Sequence, residues 1–337
     1  MSDIPPDQMD PVLNLLNQRP PEDWDWAFES EENNHSAVNA VALANLSILT
    51  YSAQAGVDNF LEKWSFQAWE HLRGFDTQGF VARKGDCLFV AFRGTEPINI
   101  HDWFSDVNYN QRKLRPFVPG RPVSAVPGAV HGGFARALEE TLTLQPLTFL
   151  QAVEQVGTGT TRLYVTGHSL GGALAILASA VLHFEAGREI HGIYTYGQPR
   201  VGDGEFSGAY DEQLKAVTFR YVNDYDIVPH VPPVDLPRPV GRSLLNIVQH
   251  IRDILVPEVF AHVGNLKLLL ADGTVTDDAG LWNDREVTYD GNIAGFFEEL
   301  PHLMQVKTAQ LLREQERILD HDPVNGYLPK LRALVPG

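Results

Sequence analysis

The sequence predicts an α/β fold, in which helices cover both faces of a mostly parallel central sheet. Three short apolar runs, at residues 163–166, 193–196 and 219–222, alternate with helical stretches. This alternation is typical of parallel strands that are buried on both faces of a sheet. Two β-rich runs, at residues 79–83 and 87–93, come earlier and are joined by Lys-Gly-Asp, which is the pattern of an antiparallel hairpin.

The residues ahead of the hairpin divide into an arm and two helices. Residues 1–35 are rich in Pro, Asn, Asp and Glu, and we interpret them as an N-terminal arm. Trp24 and Trp26 are expected to attach this arm to the main domain. Helical periodicity predicts one helix within residues 36–53 and another at residues 60–72.

The bulk composition argues against several classes of protein. The formal net charge is −17, with 26 basic and 43 acidic residues. No basic run is present, which argues against a nucleic-acid partner because binding to a polyanion needs clustered Lys and Arg. The single cysteine, Cys87, excludes an intramolecular disulfide and is expected to be a buried strand thiol. Residues 36–337 are expected to form one domain, because α/β folds of this length often do.

We expect neither a secretory leader nor a transmembrane segment. Residues 1–6 carry acid and proline where a leader would carry basic and then apolar residues, which favours a cytoplasmic location or leaderless export. The longest mainly apolar segment, residues 171–184, is shorter than the roughly 20 residues that cross a bilayer. It is predicted to be a buried helix. We expect neither a metal ion nor a cofactor.

The run Gly-His-Ser-Leu-Gly at residues 167–171 places Ser169 between a predicted strand and an Ala- and Leu-rich helix. This context is typical of a nucleophile elbow, because glycines two residues before and after the serine remove Cβ atoms that would collide. The N–H groups at the helix start favour developing negative charge. We therefore predict Ser169 as the nucleophile and Leu170 N–H as an oxyanion donor. The alternative is a Gly-rich turn with a helix-capping serine.

A serine nucleophile needs a histidine to take its proton and a carboxylate to orient that histidine. Asp226 follows a predicted strand, at the sheet edge where sites of α/β folds collect, and is the predicted acid. For the base, the residues favour His321, in a late loop, and leave His262 as an alternative. Thr95 ends the Arg-Gly-Thr run after an earlier strand, so its N–H is the predicted second oxyanion donor.

Five motifs in this order resemble the class 3 lipases, the fungal-type triacylglycerol lipase family. The resemblance spans about residues 37–331 and implies an α/β-hydrolase fold with a Ser169, Asp226 and His321 triad. It selects His321 over His262, because the family's base is followed by a Tyr-Leu pair, here at residues 327–328. The motifs are residues 90–95 (Val-Ala-Phe-Arg-Gly-Thr), 130–134 (Val-His-Gly-Gly-Phe), 167–171, 195–202 (Thr-Tyr-Gly-Gln-Pro-Arg-Val-Gly) and 226–233 (Asp-Ile-Val-Pro-His-Val-Pro-Pro).

An amphipathic helix is predicted at about residues 97–108. Periodicity alone favours a surface helix that packs on the core. The resembling family carries a mobile lid beside the oxyanion donor, so the resemblance implies a lid that contacts lipid or substrate when it opens. The apolar positions i, i+3, i+4 and i+7 of this helix are Ile100, Trp103, Phe104 and Val107.

The sequence thus predicts a carboxylic ester hydrolase. The resemblance implies a lipase that cleaves fatty-acyl glycerol esters through an acyl-enzyme, at a lipid–water interface. A triad does not encode the leaving group, so a short-chain or aryl (feruloyl-type) esterase and a phospholipase A1 remain alternatives. A non-catalytic scaffold that retains the α/β-hydrolase fold is a third hypothesis.

Overall fold

The computed structural model describes residues 20–22, 24–31, 35–74, 77–94, 111–143, 147–223, 226–232, 260–282 and 321–335. The described strands are β1 (Ala68–Arg73), β2 (Gln78–Lys84), β3 (Cys87–Phe92), β4 (Gln111–Arg112), β5 (Val130–His131), β6 (Arg162–His168), β7 (Gly192–Tyr196), β8 (Thr218–Asn223), β9 (Asn265–Leu269) and β10 (Val275–Thr276). The described α-helices are α1 (Ala37–Leu49), α2 (Gln54–Lys63), α3 (Gly132–Glu140), α4 (Phe149–Val156), α5 (Leu170–Ala180), α6 (Gly204–Leu214) and α7 (Leu328–Ala333).

Eight of the described strands form the main sheet, in the order β1-β2-β3-β6-β7-β8-β9-β10. The first three strands are antiparallel, and the hairpin predicted between β2 and β3 is confirmed, with Gly85 in its turn at a φ of 61°. From β3 to β9 the strands run parallel, and β10 returns antiparallel to β9. The predicted mostly parallel sheet is therefore confirmed. Strands β4 and β5 form a separate two-stranded sheet.

Helices cover both faces of the main sheet, as predicted. Alternate residues of β3 point to opposite faces, so Leu88 and Val90 join one core cluster while Phe89 and Ala91 join the other. The first cluster packs against α3, α4, α5 and α6. The second packs against α1, α2 and α7 and is rich in aromatic rings. The buried apolar segment predicted at residues 171–184 is confirmed as α5 and the π turn Val181–Glu185 that follows it.

The helix predicted at residues 60–72 is wrong beyond Lys63. The chain turns there and forms β1, which pairs in register with β2 from Ala68 to Arg73. The side chains of Trp69 and His71 both bind the carboxylate of Asp58 on α2, at 2.7 and 2.8 Å. Pairing with an existing hairpin edge overrides the helical periodicity of these residues, because strand propensity depends on neighbouring strands.

The first described residues pack on the second core cluster through aromatic rings. The Trp24 ring lies 4.9 Å edge-on from that of Trp64, and the Trp26 ring lies 5.0 Å from that of Phe66. Cys87 is buried, as expected, and burial beside Asp86 raises the pKa of its thiol to about 12. Among the described helices, none has the length and apolar character that crossing a membrane requires.

Candidate active site

Ser169 lies in a sharp turn between β6 and α5, with backbone angles of φ 57° and ψ −130°. Only glycine adopts such angles readily, so a serine there is strained by about 1–3 kcal/mol. The turn is held by Ser169 N–H, which donates to the carbonyl of Tyr196 on β7 at 2.9 Å. The residue is 2% exposed. The elbow predicted from the sequence is present, and strain of this kind clusters at functional sites.

The two glycines of the motif are required by close backbone contacts. A Cβ at Gly167 would lie 2.1 Å from the carbonyl oxygen of Gly171. A Cβ at Gly171 would lie 2.3 Å from the carbonyl oxygen of Phe92, at the end of β3. The strand, the turn and the start of α5 therefore pack more closely than any side chain would allow.

Asp226 and His321 form a buried pair at the end of β8. The Nδ1–H of His321 donates to the carboxylate of Asp226 at 2.8 and 2.9 Å. Asp226 also accepts from Val228 N–H at 2.9 Å and from the Tyr327 hydroxyl at 2.6 Å. Asp226 is 0% exposed and His321 is 2% exposed. These bonds fix the tilt of the imidazole and place a proton on its Nδ1.

The second ring nitrogen of His321 makes no hydrogen bond to the residues that the structure describes. Because Nδ1 carries the proton, Nε2 of the neutral ring is a free lone pair that can accept one. The His321 ring lies on Gly197, where a Cβ would come within 2.7 Å of Cε1. Gly197 follows Tyr196, the residue whose carbonyl holds Ser169. The structure thus brings Ser169 and the Asp226–His321 pair to the same edge of the sheet, on either side of Gly197.

His168, the residue before Ser169, is fully buried and contacts His321 directly. Its Nε2 lies 2.7 Å from the carbonyl oxygen of His321, and its Nδ1 lies 2.9 Å from the hydroxyl of Tyr51. The two imidazole rings are 4.5 Å apart. Burial, with the neighbouring His321 ring, holds the pKa of His168 well below its usual value of 6.5. His168 is therefore neutral at physiological pH.

The predicted oxyanion donors are described only in part. Leu170 is the first residue of α5, and the first N–H groups of a helix have no acceptor within that helix. Thr95 and the predicted lid at residues 97–108, with Ile100, Trp103, Phe104 and Val107, lie outside the described residues. Gly94, the residue before Thr95, is described, and a Cβ there would lie 3.0 Å from the Cβ of Ser169.

His262, the alternative base, lies elsewhere. Its ring packs edge-on against that of Trp282 at 5.7 Å, and the histidine that bonds the carboxylate of Asp226 is His321. Burial and the nearby Arg220 hold the pKa of His262 well below 6.5. The structure therefore brings His321 to the acid and leaves His262 in a separate buried cluster.

Three residues at the site were not predicted from the sequence to have a role there. In the sequence, Tyr327 stands out only as half of the Tyr-Leu pair, and His168 and Gly197 stand out only as positions within motifs. The Tyr327 hydroxyl both donates to Asp226 and accepts from Asn223 N–H at 3.0 Å. Each acts through partners that are distant along the chain, so local sequence carries no signal for these contacts. Among the described residues, no cluster of His, Cys, Asp or Glu could hold a metal ion.

The family model for class 3 lipases matches residues 89–236. The chain is 37% identical over 167 residues to a lipase of Rhizomucor miehei, covering 47% of this chain and 42% of that protein. It is 30% identical over 217 residues to a triacylglycerol lipase of Arabidopsis thaliana, covering 51% and 39%. It is 33% identical over 147 residues to a secreted mono- and diacylglycerol lipase of Fusarium solani, covering 44% and 40%.

The chain thus spans less than half the length of each of these relatives. Among solved structures, it is similar to the lipase of Rhizopus microsporus var. chinensis, with a TM-score of 0.49 and 24% identity, covering 75% of this chain and 82% of that one. The family model and the sequence relatives agree on one assignment. Over residues 89–236 this chain is similar to the class 3 lipase family.

Proposed function

We propose that this protein is a serine carboxylic-ester hydrolase that cleaves fatty-acyl glycerol esters. One observation carries the proposal: strained Ser169 lies at the same edge of the sheet as a buried Asp226–His321 pair, in which Nε2 of His321 makes no hydrogen bond to the described residues and can accept a proton. The match to the class 3 lipase model and the relatives named as triacylglycerol and mono- and diacylglycerol lipases support the lipid ester as substrate.

The proposed reaction follows from the roles that these groups can take. Nε2 of His321 accepts the Ser169 hydroxyl proton while Oγ bonds to the ester carbonyl carbon. The negative charge moves to the carbonyl oxygen, which Leu170 N–H, at the start of α5, stabilises. The C–O bond to the alcohol then breaks and His321 returns the proton to that alcohol. Asp226 stays ionised throughout and stabilises the imidazolium.

Water completes the cycle. His321 deprotonates a water molecule that attacks the acyl-enzyme, and the proton passes to Ser169 as the fatty acid leaves. We assign the second oxyanion donor to Thr95 N–H, because Gly94 brings this loop against Ser169. We assign a lid role to residues 97–108 from their amphipathic pattern and their position next to that loop.

A fluorophosphonate probe, which bonds covalently to activated serines, tests the nucleophile. The probe is expected to label Ser169 of the wild type, and Ser169→Ala should lose both labelling and ester turnover while keeping its fold. Ser179→Ala is the matched control, because Ser179 is also buried, on α5, and its hydroxyl donates to Ala175 O of the same helix, away from Asp226 and His321. Substantial turnover in Ser169→Ala would refute the assignment. No adduct on the wild type would favour the non-catalytic scaffold.

A substrate panel tests the ester class. Rates on p-nitrophenyl esters of increasing chain length and on emulsified triolein are compared below and above the substrate solubility limit. A preference for long chains with a rate increase at the interface is expected for a lipase with a lid. A preference for short or aryl esters, or for phospholipid vesicles, would replace the glycerol ester by the corresponding alternative.

A further inference from the structure

The backbone of His321 is held by the residue that precedes the nucleophile. His168 Nε2 lies 2.7 Å from the carbonyl oxygen of His321, and both residues are buried. A carbonyl oxygen can only accept a hydrogen bond, so Nε2 of His168 must carry the proton. The ring is neutral, which leaves Nδ1 as an acceptor for the Tyr51 hydroxyl at 2.9 Å. These two bonds define one tautomer of His168.

This bond restrains the base in a way that Asp226 does not. The Asp226 carboxylate accepts from Nδ1 of His321 and sets the rotation of the imidazole. The hydrogen bond from His168 Nε2 to the carbonyl oxygen of His321 instead restrains the main chain of His321 and sets the position of its ring relative to β6. Because His168 and Ser169 are adjacent, the base is tied to the strand that carries the nucleophile. The distance between Nε2 of His321 and the Ser169 hydroxyl then depends on the hydrogen bond between His168 and the main chain of His321.

The neutral state of His168 also suits the charge that the reaction creates. When His321 accepts a proton, it becomes a cation 4.5 Å from the His168 ring. A charged His168 would oppose that step, whereas a neutral ring with Nε2–H directed at a carbonyl does not. The Tyr51 hydroxyl suits this state, since it can donate to an unprotonated Nδ1. The same hydroxyl lies where a Cβ of Gly94 would come within 2.4 Å, so Tyr51 also borders the proposed oxyanion loop.

We propose that His168 is a positioning residue for the base: held by Tyr51 as the neutral Nε2–H tautomer, it fixes the main chain of His321 beside Ser169. The inference rests on the proposed function, in which His321 is the base. It assigns His168 no contact with substrate and no proton transfer. Its loss should therefore slow the activation of Ser169 and leave substrate binding unchanged.

The test compares His168→Leu, which removes both ring nitrogens, with His168→Gln, whose amide N–H can donate from near the Nε2 position. In His168→Leu we expect kcat on a soluble p-nitrophenyl ester to fall by about 10- to 100-fold with KM unchanged, the effect of moving a catalytic group by about 1 Å. The rate of fluorophosphonate labelling should fall in proportion. His168→Gln should recover most of both rates.

Thr166→Val is the matched control. Thr166 is buried on the same strand, and its hydroxyl bonds the carbonyls of Leu43 and Tyr194 at 3.0 and 2.9 Å. This variant should lose stability in urea without losing kcat. An equal loss of kcat in Thr166→Val would reduce the role of His168 to general stability and overturn the proposal, as would wild-type kcat in His168→Leu.

Nitrogen-15 NMR of the wild type, selectively labelled at histidine, tests the tautomer even if a His168 variant fails to fold. At neutral pH we expect His168 to show a protonated Nε2 and an unprotonated Nδ1. A protonated Nδ1, or a cationic ring, would overturn the inference. If the wild type neither reacts with the probe nor hydrolyses any ester, the proposed function fails and the inference fails with it. Probe reactivity thus separates the two failures.

Discussion

Gly197 follows β7 and lies against the proposed acid and base. Its φ is 58°, and a Cβ added there would lie 2.7 Å from Oδ2 of Asp226 and 2.7 Å from Cε1 of His321. Cβ atoms essentially never come within 3.0 Å of other heavy atoms. Gly197→Ala must therefore displace the Asp226–His321 pair from Ser169.

Two effects add in this variant, and a second glycine separates them. A non-glycine residue in the left-handed region costs about 1–2 kcal/mol. Gly187 has a similar φ of 63° but no atom within 4 Å of the added Cβ, so Gly187→Ala carries only this backbone cost. A displacement of about 1 Å costs about 100-fold in rate. That ratio corresponds to about 2.7 kcal/mol of lost transition-state stabilisation.

Urea unfolding and ester turnover are measured on both variants. We expect Gly187→Ala to lose about 1–2 kcal/mol of unfolding free energy with kcat unchanged. Gly197→Ala should lose at least as much stability and about 100-fold in kcat. Equal kcat in the two variants would refute the argument, because the displaced pair would then have no part in turnover.

Three further predictions follow from strain and burial. Ser169→Gly and Ser169→Ala should both be inactive, but the glycine variant should be more stable by about 1–3 kcal/mol in urea, since it relaxes the elbow; equal stability would mean an unstrained turn. Burial lowers the pKa of His131 to about 4, so the unfolded state binds more protons between pH 4 and 6.5 and stability falls as pH drops through that window. Across that window the free energy of unfolding should fall by about 3 kcal/mol. His131→Asn keeps an acceptor for Phe134 N–H, and its free energy of unfolding in urea should change less with pH between pH 4 and 6.5. Native Cys87, with a pKa of about 12, should resist iodoacetamide at neutral pH and react once unfolded; labelling of the native protein would contradict its burial.

The fold is predictable from the sequence wherever the determining interactions are local. The parallel strands are short apolar runs with helices between them, and the β2–β3 turn is marked by Gly85. The prediction is wrong at β1, where the helical period of residues 60–72 continues past the end of α2. Ala68–Arg73 forms a strand because it pairs with the edge of β2, and this pairing is not visible in the local sequence.

The same distinction applies within the site. The strand-to-helix turn at Ser169 and Leu170 was predictable because strand, glycines and helix are contiguous in sequence. Asp226 was predictable because it follows a strand on the edge where parallel strands end. The choice between His321 and His262 was not predictable from spacing, since the contact of His321 with Asp226 joins residues 95 positions apart. Which histidine reaches Asp226 depends on how the chain folds back to the sheet between these two residues.

The register of the sheet, more than any single loop, sets the distances in this site. Phe92 of β3 pairs with Gly167 of β6, and Tyr196 of β7 pairs with His168. These strands are parallel and in register, so their carboxyl ends lie at one edge of the sheet. The residues that follow them, Gly94, Ser169, Gly197 and Asp226, therefore lie at that edge. The hydrogen bond from Ser169 N–H to Tyr196 O extends that register by one residue into the strained turn. The pairing that buries the core therefore also brings Ser169 and the Asp226–His321 pair to one edge of the sheet.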